Sequence, residues 1–290
     1  MGGFLDALVD HAFMRNALLT GLLASVACGV IGSYVVVRRI TYIAGGIAHC
    51  VLGGIGASLY LERAHGWVWL DPLYGALAAA LIAALVIGLV SLRARERADT
   101  VIGAVWAVGM AAGVLFLSRT PGYAEDLMSY LFGNILMVTT KDLWLIAALD
   151  AVVLAAGILF HNQLLAVSFD EEFSEARGLR VEFYYLLLIV LTALTVVLLV
   201  TVVGIVLVIA LLTIPAAVAG RFTSRLSHMI VAAMLLSAAF TTGGLALSYG
   251  PNLPAGAAVI LLAGAVYLAV VVFGRITRRR IGRETGWESG

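Results

Sequence analysis

Apolar residues run along this chain in unbroken blocks separated by short polar turns. They do not alternate with polar positions, so the pattern predicts helices rather than strands. A helix that crosses the hydrocarbon of a bilayer needs about 20 such residues. The stretches that meet this length are 17–37, 43–61, 73–92, 101–118, 143–160, 183–202, 203–220, 229–248 and 255–274. Residues 183–220 form one uncharged block, too long for a single crossing and right for two, with Gly204 near the break. Pro215 is expected to interrupt its second half, which either crosses or dips in and returns. The count is therefore nine spans or eight. Residues 128–138 are apolar but short and are expected to form a re-entrant or interfacial helix on the outer side.

The arginines orient these spans. One frame collects Arg38, Arg39, Arg93, Arg95, Arg97, Arg177, Arg180, Arg221, Arg225 and the cluster from Arg275 to Arg283 on one side. It leaves only Arg15, Arg63, Arg119 and Lys141 of the 18 basic residues on the other. Basic residues gather on the cytoplasmic side of membrane proteins. The amino terminus is then outside and the carboxyl terminus inside, a parity that favours nine crossings.

Composition agrees: 62% of residues are hydrophobic and 12% charged, where soluble domains carry about 25% charged residues. The expected fold class is all-α, a polytopic integral membrane protein. Continuous apolar runs exclude a β-barrel. A net charge of +1 offers no bulk attraction to nucleic acid. Cys28 and Cys50 both lie in apolar segments and suggest no disulfide framework. No cleavable signal pattern is visible. The expected organisation is a surface segment over 1–15, a membrane domain over 16–275 containing a loop at 161–182, and a cytoplasmic tail over 276–290.

Within the second apolar stretch, Gly46, His49, Gly53 and Gly56 follow one another at steps of three, four and three. Those steps place all four on one helical face. The face is small, so a second backbone can approach closely. It also carries an imidazole at membrane depth, where an ionisable group marks either a pathway or a partner. His49 thus has two readings, a pathway residue or a histidine bonded to a neighbouring helix. Cys50 points about 100° away round the helix and reads as packing. Asp150 is a second ionisable group inside an apolar segment, expected to pair with a neighbouring helix or to touch the pathway.

Nucleotide and hydrolase motifs are absent: there is no G-x-x-x-x-G-K-[ST], H-E-x-x-H, C-x-x-C or G-x-S-x-G. Any ATP-driven work requires a second polypeptide. The longest charged stretch is HNQLLAVSFDEEFSEARGLRVEF at 161–183. Acids early, Arg177 late and then Gly178 predict a short helix. It reads as a solvated connector or as a docking helix anchored by Phe169 and Phe173. Glu62, His65, Asp71, Glu125 and Asp126 are expected on the outer face.

Four runs carry a resemblance. DEEFSEARGL (170–179), VVGIVLVIALLTIPAAVA (202–219), LSYGPNLPAGAAVILL (247–262) and VVVRRITYIAGGIAHCVLGGIGA (35–57) together resemble the permease subunit of the ABC-3 family. These are ABC importers of zinc, manganese and iron(II). The resemblance covers about residues 13 to 274. It implies a permease fold like that of the vitamin B12 importer, in the inner membrane, and a transport subunit rather than an enzyme, with no tightly bound cofactor. The implied partners are a second copy in a homodimer, a separate ATPase chain that holds the ATP, an external solute-binding protein and membrane lipid. It also implies that the acidic helix is a coupling helix seated on the ATPase through Glu171, Glu172, Glu175, Ala176 and Gly178. His49 aligns with the family's histidine and would be a transient metal ligand, with Gly46, Gly53 and Gly56 packing at the dimer or pathway. Many members read G-D-x-[IL]-[SA]-H there, and Gly45 stands in the aspartate's place. An imidazole without a carboxylate favours zinc over manganese. Zinc is thus the expected cargo, with manganese or iron(II) as the alternative. A stand-alone ion-coupled carrier is the rival from another class, and it would be expected to bury several carboxylates.

Overall fold

A computed structural model of the chain describes residues 4–93, 98–122, 133, 135–251 and 253–284. The helices are α1 (Phe4–Asp10), α2 (Ala12–Val37), α3 (Thr41–His65), α4 (Pro72–Arg93), α5 (Ala98–Arg119), α6 (Thr140–Leu159), α7 (His161–Phe169), α8 (Glu171–Ala176), α9 (Val181–Val203), α10 (Ile205–Phe222), α11 (Leu226–Tyr249) and α12 (Ala255–Glu284). A 3-10 turn, Ile135–Met137, precedes α6. Among the described residues, nine helices are long and apolar enough to cross a membrane: α2 to α6 and α9 to α12.

The long apolar block resolves into α9 and α10. Gly204, at φ 87°, turns the chain between them in a conformation other residues rarely adopt. Pro215 lies inside α10 without ending it. Each half is therefore a spanning helix by length and composition, which gives nine rather than eight. Two boundaries differ from the hydropathy reading. Helix α2 begins at Ala12, because the Arg15 guanidinium folds back to the Val9 carbonyl at 2.7 Å and takes its charge out of the apolar run. Helix α12 continues past the apolar run to Glu284, since arginine is a good helix former. The expected helix at 128–138 lies mostly outside the described residues, as do Arg95, Arg97, Glu125, Asp126 and the last residues of the tail. Of that stretch the 3-10 turn is described; it is followed by Thr139, which caps α6 in a reciprocal pair with Asp142.

Burial sorts the bundle. The most apolar windows of α2, α3 and α9 are 72%, 67% and 67% buried, those of α5, α6 and α12 only 17%, 22% and 17%. The first three form the centre, and the latter face outward. Lipid tails are as apolar as leucine, so packing between spans depends on close approach of small residues. The α3–α5 pair shows this. A Cβ on Gly53 would lie 2.7 Å from the Gly109 carbonyl oxygen, and one on Gly56 2.8 Å from that of Gly113. A Cβ on Gly46 would lie 2.7 Å from the Ile102 side-chain Cγ2. Matched positions rise together along both chains, so α3 and α5 run parallel, with α4 returning between them. The small stripe of α3 is thus taken up within the chain by α5, and is not left free for a second copy.

Candidate functional site

Helix α3 places His49 two turns beyond its first residue, Thr41. The imidazole Nδ1 lies 2.8 Å from the Gly45 carbonyl oxygen, one turn back on the same helix. A carbonyl can only accept, so Nδ1 carries the proton and donates. In the neutral ring the Nε2 lone pair is then the one available for a metal ion. The ring is half-buried. Its flat face stacks on the indole of Trp106 from α5, centroids 4.1 Å apart and planes 21° apart. Tyr42 approaches the same indole at 5.8 Å, and the indole Nε1–H donates to Met110 Sδ at 3.1 Å. The site is thus an imidazole held by a backbone carbonyl below and an aromatic ring beside it. Among the described residues no three His, Cys, Asp or Glu side chains converge as a metal cluster. Cys50 turns away, packs on Gly109 and lines an apolar groove of about 640 Å³ between α3, α4 and α5. Asp150, in α6, is buried and accepts the Ala27 backbone N–H of α2 at 3.1 Å. It pairs with a neighbouring helix and does not join His49.

The acidic loop folds as two short helices. Asp170 caps α8, its carboxylate accepting the Phe173 N–H at 2.9 Å. Ser174 is buried and its hydroxyl donates to the Asp170 carbonyl at 2.7 Å. Gly178, at φ 79°, turns the chain out of the helix. Glu171, Glu172, Glu175, Ala176 and Gly178 are all exposed, as are Phe169 and Phe173. The result is an acidic surface with two apolar anchors and a buried underside.

Sequence reasoning missed what ties this loop to α3. Arg38 follows the last residue of α2, and its side chain is only 8% exposed. It pairs with Glu171, donates to the Val167 carbonyl at 2.6 Å, and lies 4.4 Å from the centre of the Tyr185 ring. Burial pushes the guanidinium's pKa down from its ordinary value, and Glu171 and Tyr185 oppose that. A second link joins the Tyr34 hydroxyl to His161 Nδ1 at 2.8 Å. In the sequence Arg38 reads as an orientation charge, and its partners lie more than 100 residues away. Trp106 was equally hidden, because an aromatic residue in an apolar helix reads as packing; Met110 one turn on is its only local trace.

Fold and site define an all-helical, multi-pass membrane permease. The model of the ABC 3 transport family matches residues 10–274, and the chain belongs to that family. It is a permease of an ABC transport system, integral to the inner membrane. An uncharacterised membrane protein of Synechocystis sp. is 43% identical, over 92% of this chain and 92% of that protein. The manganese transport system membrane protein MntC of Listeria monocytogenes is 36% identical, over 93% of this chain and 94% of its own. Among solved structures, PsaBC from Streptococcus pneumoniae in complex with Fab contains a chain that superposes with a TM-score of 0.80. It is 32% identical, over 92% of this chain and 94% of that one.

Proposed function

We propose that this chain, as a homodimer, forms the translocation pathway of an ATP-driven importer of a divalent first-row metal ion, manganese in the first reading. His49 is a transient ligand in that pathway. A separate cytoplasmic ATPase seats on α8 through Glu171, Glu172, Glu175, Ala176 and Gly178, and an external solute-binding protein delivers the ion. The observation that carries the reading is the contact of α8 with Arg38, which stands on the turn between α2 and α3, three residues before α3 begins and eleven before His49. Motion imposed on α8 by the ATPase reaches the pathway helix along this path. Relatives whose names specify a metal favour manganese.

One feature supports zinc as a second reading. Position 45 is glycine and, among the described residues, His49 belongs to no cluster of three His, Cys, Asp or Glu side chains, so the donor read from this chain is a nitrogen. Nitrogen donors favour zinc over manganese. The test is reconstitution with the ATPase in vesicles, following manganese and zinc accumulation with and without ATP. ATP-dependent accumulation of either metal supports the importer, and the preferred ion decides between the readings. Accumulation independent of ATP would identify a stand-alone carrier instead.

A further inference from the structure

Where α10 turns into α11, the chain leaves a cavity of about 460 Å³ that opens at the surface. The ends of α2 and α10, the start of α11 and one residue of α12 surround it, and Phe169 at the end of α7 closes one side. Its polar half is made of donors. Arg221 and Arg225 both line it, and Ser224 and Tyr267 add hydroxyls. Among the described residues neither arginine forms a salt bridge. Arg221 reaches toward α12, its Nη1 3.8 Å from where a Cβ on Gly274 would stand. The Thr223 hydroxyl is donated to the Ala219 carbonyl at 2.9 Å. Among the described residues no carboxylate lines the cavity. The acids that follow Phe169 are engaged elsewhere: Asp170 caps α8 and Glu171 pairs with Arg38. The other half of the cavity is apolar, built by Val36, Val37, Ala217 and Met229.

Depth decides what fits there. Helix α10 ends at Phe222, next to Arg221, and α11 begins at Leu226, next to Arg225. Both arginines therefore stand at the inner boundary of the apolar runs, on the side the basic residues mark as cytoplasmic. Tyr267 lies seven residues before Gly274, where the spanning part of α12 ends. At 1.5 Å per residue that is about 10 Å deeper. The cavity is thus cationic at headgroup level and apolar below it. A small anion would satisfy the arginines and leave the apolar wall bare, and a neutral chain would do the reverse. We propose that this cavity binds an anionic phospholipid of the cytoplasmic leaflet, its phosphate between Arg221 and Arg225 and its first acyl carbons along Met229 toward Tyr267. Guanidinium groups bind phosphate oxygens through paired, charge-assisted hydrogen bonds. Basic pockets between spans on the cytoplasmic side suit anionic headgroups. The bound lipid ties together elements from both ends of the chain beside Phe169, the residue before the cap of α8. Neither the metal nor the ATPase enters this binding, so it stands apart from the importer reading.

The experiment titrates the purified full-length chain, with the subunits that copurify, against phosphatidylglycerol, phosphatidylcholine and inorganic phosphate in detergent. Bound lipid is counted by native mass spectrometry, and the unfolding midpoint is followed on the same samples. Wild type is compared with Arg221→Gln/Arg225→Gln and with Arg93→Gln/Arg180→Gln, which removes two exposed arginines of the same side outside the cavity. Wild type is expected to retain phosphatidylglycerol in preference to phosphatidylcholine and to unfold at a higher temperature with it. An arginine near anionic lipid contributes about fivefold in affinity, so Arg221→Gln/Arg225→Gln should weaken phosphatidylglycerol about thirtyfold. Arg93→Gln/Arg180→Gln should leave the cavity's lipid in place. Ala217→Phe keeps both arginines and fills the apolar half, and serves as the second variant if the arginine pair cannot be replaced without unfolding; it too should lose the preference. Equal loss in the two arginine variants would show bulk charge and overturn the proposal. So would equal retention of phosphatidylcholine, or equal protection by inorganic phosphate, which would make the cavity a site for a free anion. Unchanged lipid binding with loss of a copurifying subunit in Arg221→Gln/Arg225→Gln would assign the cavity to a protein partner and also overturn it.

Discussion

Arg38 and Glu171 form an ion pair between the turn that opens α3 and the first residue of α8, with the arginine's side chain buried and the glutamate's 57% exposed. Because Glu171 is held by its own chain, it anchors the acidic helix from below as well as belonging to its outer face. Hydrogen bonds to charged groups contribute about 1.5–3 kcal/mol, and Arg38 makes more than one. Arg38→Ala is expected to leave α8 able to bind the ATPase but poorly connected to α3. ATP hydrolysis by the assembled transporter should continue while uptake falls about tenfold or more. Arg38→Lys keeps the charge but loses the fork that reaches both Val167 and Glu171, and should fall between the two. A matched loss of hydrolysis and uptake would show that Arg38 serves assembly, not transmission.

The exposed acids of α8 make a separate prediction. Glu172 and Glu175 have no salt bridge within the chain among the described residues. Glu175→Lys is expected to weaken co-purification of the ATPase without changing the thermal stability of the permease. Glu171→Lys should lower both, since it also sets a positive charge against Arg38. Equal behaviour of the two variants would argue that the α8 acids share a single role.

Close approach of α3 and α5 predicts a stability effect. Gly53→Ala places a methyl group 2.7 Å from the Gly109 carbonyl oxygen. The helices must part, and overpacking of this kind costs about 1–3 kcal/mol. The expected outcome is a lower unfolding midpoint in detergent. Gly103→Ala, on α5 where a Cβ meets nothing within 4 Å, is the matched control and should change little.

Asp150 gives the opposite pattern. Its Oδ1 accepts the Ala27 N–H, and its Oδ2 has no partner in the structure. Asp150→Asn keeps an acceptor at nearly the same volume and should leave folding and uptake close to wild type. Asp150→Ala removes the contact and opens a void, and should destabilise by about 1–3 kcal/mol. Loss of uptake in a stable Asp150→Asn variant would bring this carboxylate into the transport path.

Much of the architecture was legible because crossing a bilayer imposes a length. Nine apolar stretches became nine spanning helices among the described residues, and the boundaries differed at Arg15, whose guanidinium folds back to Val9, and beyond Gly274, where α12 runs on. The spacing of Gly46, His49, Gly53 and Gly56 correctly announced a close helix contact. It could not say which helix answers, because α5 carries small residues and a second copy of α3 would present the same ones. The stripe met α5, whose Gly109 and Gly113 stand opposite Gly53 and Gly56. His49 was visible as an ionisable group in an apolar helix. Trp106 and the Arg38–Glu171 pair were not, since both depend on contacts between distant segments that leave no periodic trace. The metal was the least legible of all: a missing carboxylate argued for zinc, whereas named relatives argue for manganese.

On the proposed pathway an ion passes His49 on its way through the membrane. The most direct measurement is ATP-dependent metal uptake by the reconstituted transporter carrying His49→Ala, with ATPase co-purification and unfolding midpoint measured on the same preparation. Uptake is expected to fall about tenfold or more while assembly and stability stay at wild-type levels. Undiminished uptake by a fully assembled His49→Ala transporter would contradict the account.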